Sequence, residues 1–199
     1  MRPSAALVLM LATLALTACL PTPRTEEVKL FTLEADFAPA AAAGQGPALL
    51  VAPPRARAGY DSAGMAYGRQ PQELAYFARH RWVDTPPRML APLLVQALEA
   101  SGRFSAVLAA PATARAALRL DTEVLRLRQD FSTTPSRVEF ALRAQLTDLK
   151  SGAPRATRSF AVSVPSQGDD PVHGAQAANR AVGLVLTELA QWASEASRP

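Results

Sequence analysis

Arg137-Val138-Glu139-Phe140-Ala141-Leu142-Arg143-Ala144-Gln145-Leu146 is the stretch whose pattern decides the fold. Its apolar side chains fall on alternate residues, the period of a strand with one face in a core and the other in water. Upstream, Leu118, Leu120, Thr122 and Val124 alternate in the same way, and Leu125 and Leu127 then change parity, as a β-bulge requires. Downstream, Leu149-Lys150-Ser151-Gly152 has the composition of a turn, and Phe160, Val162 and Val164 continue the apolar face. The segment from Leu118 to Val164 therefore predicts a three-stranded antiparallel meander.

Two helices flank it. Asp170-Pro171 starts the second, in which Ala175, Ala178, Val182, Val185, Leu189 and Trp192 recur at steps of three and four. The first follows Asp84 or Thr85 as cap, has Pro86 and Pro87 in its opening turn, and places Leu90, Leu94, Ala97, Leu98 and Ser101 on one face. Pro92 removes an amide there, so the helix either begins later or bends, and Gly102 supplies the left-handed stop. Before this helix, Val28 to Leu33 and Ala48 to Ala52 read as short strands, and after it Phe104 to Leu108 reads as a third. Arg55 to Arg88 is irregular, interrupted by Gly59, Gly64 and Gly68. The order of elements predicts an α+β fold: a two-layer sandwich with a mixed, mostly antiparallel sheet and both main helices packed on one face.

Of 199 residues, 49% are hydrophobic and 19% charged, a balance that suits one packed domain and neither a disordered chain nor a multispan membrane protein. The net charge of +4 comes from scattered arginines, and no run of like charges suggests nucleic acid. The chain opens with Arg2, an apolar stretch from Ala5 to Leu16, and Leu16-Thr17-Ala18-Cys19. That stretch is too short to span a bilayer and has the layout of a secretory signal. Its last four residues resemble the bacterial lipobox, in which a cysteine thiol takes a diacylglycerol before cleavage on its N-terminal side. Residues 1–18 then form a lipoprotein signal peptide, 19–27 a lipidated tether containing Pro21 and Pro23, and 28–199 a single periplasmic domain. Two acyl chains on the Cys19 sulfur, and a third on its amine as in lipoproteins of this kind, make the attachment effectively permanent. Leu20 stands where an inner-membrane retention signal would often place Asp, which favours the outer membrane. With Cys19 the chain's only cysteine, no intrachain disulfide and no cysteine-based zinc site can form.

Chemistry is sparse. His80 and His173 do not form a metal-ligand pattern, no Gly-x-Ser-x-Gly elbow exists, and no phosphate-cradling glycine series follows a strand. Asp169-Asp170 reads as helix capping, and Arg137, Glu139 and Arg143 opposite Arg119, Asp121 and Glu123 as a solvated sheet face. No enzyme activity, metal or cofactor is expected beyond the covalent acyl groups of Cys19.

Beyond the lipobox come Leu30-Phe31-Thr32-Leu33, Val51-Ala52-Pro53-Pro54, Tyr60-Asp61, Met65-Ala66-Tyr67, Glu73-Leu74-Ala75-Tyr76-Phe77 and Arg81-Trp82. Pro86-Pro87, Met89-Leu90, Leu98-Glu99-Ala100-Ser101-Gly102 and Phe104-Ser105-Ala106-Val107 complete the series. It resembles the ABC-type transport auxiliary lipoprotein family over nearly all of the mature chain. One departure is Phe31, where the family has a tyrosine, so the ring is kept and the hydroxyl lost. The resemblance implies the noncatalytic lipoprotein component of an intermembrane lipid transport system, in which an ATPase and permease work through an MCE-domain assembly. The expected partners are that MCE-domain protein and the outer membrane, and a homo-oligomer would suit the ring-forming MCE proteins.

Tyr60, Tyr67, Tyr76 and Trp82 are the candidate partner-binding residues, because loops rich in Tyr, Trp and Arg dominate protein contacts. The other reading is that these rings cover the end of the sheet as part of the core. In an extended segment Tyr76 and Phe77 point opposite ways. Two further functions stay open: a periplasmic lipid carrier, for which the small Ala97, Ala144, Ala178 and Ala193 would leave a cavity between helices and sheet, and a structural cell-envelope lipoprotein.

Overall fold

The computed structural model describes residues 27–39 and 44–198; the lipobox, Cys19 and the tether as far as residue 26 lie outside them. In chain order the elements are β1 (Lys29–Phe31), β2 (Leu49–Val51), β3 (Arg55–Ala56), β4 (Gly64–Gly68), β5 (Ala75–Trp82), α1 (Pro86–Ala100), β6 (Val107–Ala109), β7 (Leu118–Asp130), β8 (Arg137–Asp148), β9 (Pro154–Pro165) and α2 (Pro171–Ala196). Strands β7, β8 and β9 form the expected antiparallel meander, with Leu120 opposite Leu146 and Phe140 opposite Val162. The register shifts between Val124 and Arg126, so Leu125 is the extra residue of the bulge and Leu127 turns inward on the same face as Val124.

The other edge of β7 takes three short strands in succession, all parallel to it: β2 at Leu118–Leu120, β3 at Glu123–Val124 and β4 at Gln129–Asp130. From there the sheet spreads in two wings. β2 continues to β6, and β4 continues through antiparallel β5 to parallel β1. This is the mixed α+β sheet expected, carrying two helices, and it does not close into a barrel.

Both helices pack on the same sheet face and touch each other, α1 over β3, β6 and β7 and α2 chiefly over β8 and β9. One core results, holding Leu90, Leu94 and Leu98 of α1, Val182, Leu186 and Leu189 of α2, and Leu120, Leu142 and Leu146 of the sheet. The apolar stripe of α2 is wider than the six residues its spacing marks, because Ala177, Ala181, Ala190 and Ala193 are buried as well. Alanine at these positions lets helix and sheet backbones approach closely. Helix α1 runs unbroken from Pro86, with Pro92 on its exposed side, and Gly102 closes it at φ +61°.

Two expectations need correction. The stretch from Arg55 to Arg88 is not irregular, since it contains β3, β4 and β5. Alternation fails in β5 because two residues of β4, Gly64 and Ala66, pair with Arg81 and Tyr76, so an intervening bulged segment scrambles the inside-outside parity. The strand expected at Phe104 to Leu108 is β6 at Val107–Ala109, and Phe104 makes only a single bridge with Gly46. A Cβ at Gly46 would come within 2.4 Å of the Arg103 carbonyl oxygen, so this close approach needs glycine.

Candidate docking surface

The four aromatic candidates fall into different environments. Trp82 is 4% exposed and belongs to the core. Tyr60 is half-buried against the core, and burial raises its phenol above the ordinary value, with Arg128 and Arg126 pulling the other way. Tyr67 lies in a row of rings across the β1–β5–β4 wing: its centroid is 4.5 Å from Phe77 and 5.9 Å from Phe131. The row continues from Phe77 to His80 at 6.2 Å and from His80 to Phe31 at 5.9 Å. Phe31 stacks on His80 with its missing hydroxyl leaving the ring contact intact. His80 is therefore half-buried between rings and is not a plain surface residue.

Tyr76 alone of the four turns outward. It is 43% exposed, its ring lies over Gly64, and its hydroxyl donates to the Gly59 carbonyl at 2.8 Å. Tyr76 and Phe77 do point opposite ways. The wing also carries Val28, Leu30, Leu74 and Val83, all exposed and none of them among the expected partner-binding residues. Their signal was present as apolar residues next to strands, but the face they share depends on pairing between segments some fifty residues apart, Leu30 lying opposite Arg81.

Polar groups elsewhere are engaged structurally. Asp170 caps α2 by accepting from the Val172 and His173 amides at 2.8 and 3.0 Å, and the His173 Nδ1 lies 2.5 Å from its other oxygen. The His173 hydrogen bonds hold the Asp170 carboxyl below its ordinary range. Asp169 accepts from the Ser136 amide at 2.7 Å, so the acidic pair ties α2 to the β7–β8 connection as well as capping it. On the open sheet face only Glu123 and Arg143 oppose each other as expected. Beyond the bulge Glu139 faces Arg128 and accepts from it at 2.8 Å, while Arg119 and Asp121 oppose Thr147 and Gln145 and bond each other on their own strand. Among the described residues no three His, Cys, Asp or Glu side chains gather as a metal would need.

The space between layers is small. A void beside Met65, Phe77, Trp82 and Ala178 measures about 10 Å³, room for one water. Ala97, Ala144, Ala178 and Ala193 are all buried and pack the layers closely; Ala178 borders only this small void, and Ala97 the rim of a groove between the helices. A groove of about 530 Å³ separates the C-terminal parts of the helices, open to solvent and lined largely by polar groups such as Asp36, Arg103, Gln191, Glu195 and Arg198.

Residues 31–190 match the family described as the ABC-type transport auxiliary lipoprotein component. The chain belongs to this family. A crystal structure of a Xanthomonas campestris protein is similar to this auxiliary lipoprotein at 27% identity and TM-score 0.76, covering 85% of this chain and 96% of that one. An uncharacterized protein shares the fold at 13% identity and TM-score 0.67, over 84% of this chain and 99% of its own. A hypothetical protein from Chlamydia trachomatis does so at 9% identity and TM-score 0.52, over 78% and 98% respectively. No curated protein matches the chain. Family membership makes this a cell-envelope lipoprotein auxiliary to an ABC-type transport system.

Proposed function

We propose that this auxiliary lipoprotein is noncatalytic, is fixed to the outer membrane through acylated Cys19, and holds the outer end of an MCE-domain assembly beside that membrane. The observation that carries the reading is the solid interior: the void between helices and sheet, about 10 Å³, is far below the several hundred Å³ that ligand pockets occupy. So little space between helices and sheet favours a domain that assists transport by position over one that encloses cargo between its layers. Tethering does this without a tight contact, because a short linker raises the effective concentration of each partner near the other. Leu20 after the cysteine supports the outer membrane as the destination, and a ring of copies would suit a ring-forming MCE partner.

The test is a crosslinked pull-down of the tagged full-length protein from its own envelope, with partners identified by mass spectrometry. Recovery of an MCE-domain protein is expected, and crosslinked multimers of the bait would report self-association. Recovery of stoichiometric lipid with no MCE protein would overturn the reading in favour of a carrier using the interhelical groove, and recovery of structural outer-membrane proteins alone would favour a scaffold.

A further inference from the structure

Five of the eight exposed large apolar side chains among the described residues, Val28, Leu30, Leu74, Tyr76 and Val83, lie on or beside the strands of the β1–β5 wing. They are brought to one surface by strand pairing. Leu30 is paired with Arg81 in the parallel ladder, Arg81 with Gly64 in the antiparallel one, and the Tyr76 ring lies over Gly64. Val28 and Val83, both exposed, flank these strands two residues from Leu30 and Arg81. Leu74 and Tyr76 both border Gly59. The opposite side of the same strands carries Phe31 and Trp82 into the core. Scattered single apolar residues need no explanation, but a contiguous group around one arginine does.

The chain itself points to what covers this patch. We infer that the outer face of the β1–β5 wing rests on a phospholipid bilayer with anionic headgroups, at headgroup depth, and so orients the domain on the membrane. The inference depends on Cys19 being the anchor. From Cys19 to Val28 the backbone reaches at most about 30 Å fully extended, and it joins the domain inside the patch. The chain thus enters the domain at this wing, which stays within about 30 Å of the anchored cysteine. Its composition fits an interface: short apolar tips, a tyrosine with an apolar ring and polar end, and a cation. Arg81 has no carboxylate partner among the described residues and stands opposite Leu30, on the patch side of β5. β1 ends the sheet, so its outer backbone groups need hydrogen-bonding surroundings and contact stops short of the hydrocarbon. With this face on the membrane, the helix layer looks away from it toward the periplasm.

The experiment uses the full-length acylated protein in vesicles of phosphatidylethanolamine and phosphatidylglycerol with brominated acyl chains. A bimane fluorophore is placed at Leu30→Cys, at Val83→Cys, or at Leu184→Cys on the exposed side of α2. The Cys19 sulfur is a thioether and does not react. Vesicle flotation reports the anchor, and bromine quenching reports which face meets lipid. The expected result is flotation of all three, with quenching at positions 30 and 83 at least about threefold stronger than at 184, and a marked loss of that quenching on adding Arg81→Glu. Flotation with equal, weak quenching at all three positions would overturn the inference and leave the anchor standing. Protection at position 30 only after adding envelope protein would overturn it in favour of a protein partner. Failure to float would remove the anchor and the inference together.

Discussion

Replacing Trp82 with alanine separates the two readings of the aromatic segment. The indole is 4% exposed and sits in the single core with Met65 and Leu127, on β5 where the wing joins the helix layer. The neighbouring void of about 10 Å³ offers no slack, so truncation creates a cavity that packed elements from both layers would have to fill. Large-to-small changes of this kind cost about 3–5 kcal/mol. For a domain of this size each kcal/mol moves the melting temperature by roughly 2–4 °C, so Trp82→Ala should melt about 6–20 °C lower. Tyr76→Ala is the control: it removes an exposed ring and one hydrogen bond, to the Gly59 carbonyl, at a cost of about 1 kcal/mol. Thermal and urea unfolding followed by circular dichroism measure both variants. A Trp82→Ala protein that melts within about 2 °C of wild type but no longer recovers its partner would refute the core assignment and restore Trp82 as a docking residue.

Other outcomes are equally specific. A Cβ at Gly174 would come within 2.2 Å of Oε1 of buried Gln129, whose amide nitrogen bonds Ser136 and the Asp170 carbonyl, so Gly174→Ala should destabilise by about 1–3 kcal/mol. An unchanged urea midpoint would show that this contact relaxes freely. Asp170→Ala should lose about 1–2 kcal/mol through the cap of α2, read from melting at neutral pH. Because folding depresses the Asp170 carboxyl, its contribution is present above the ordinary carboxylate value near 4 and fades as pH falls below it. Wild type should therefore lose more stability than Asp170→Asn on acidification, and parallel pH profiles would contradict the assigned hydrogen bonds. Cys19→Ala should leave the domain folded but move it from the membrane fraction to the soluble one, and its retention in membranes would end the anchoring argument.

Much of the frame was legible because burial on one face imposes a period. Val138 to Leu146 and the bulge after Val124 could be read directly, as could the caps and stripes of both helices, where proline, aspartate and Gly102 mark boundaries by local chemistry. The wing was not legible. Its strands are short, β5 loses alternation in its bulge, and His80 beside Arg79 and Arg81 reads as surface although its ring lies between Phe77 and Phe31. The aromatic candidates all come from this segment, but a list of rings does not say which side of a strand each occupies. Trp82 and Tyr76, six residues apart, lie on opposite faces.

By itself the sequence determined the meander and the two amphipathic helices on one face, since these are patterns between near neighbours. Only the tertiary structure decided that β7 is flanked by three parallel strands, that alanines close the interior, and that Leu30, Arg81, Tyr76 and Val83 form one surface. Parallel pairing joins segments distant in the chain through backbone hydrogen bonds common to all residues. Local sequence therefore carries almost no record of which strands meet, or of what their outer faces jointly present.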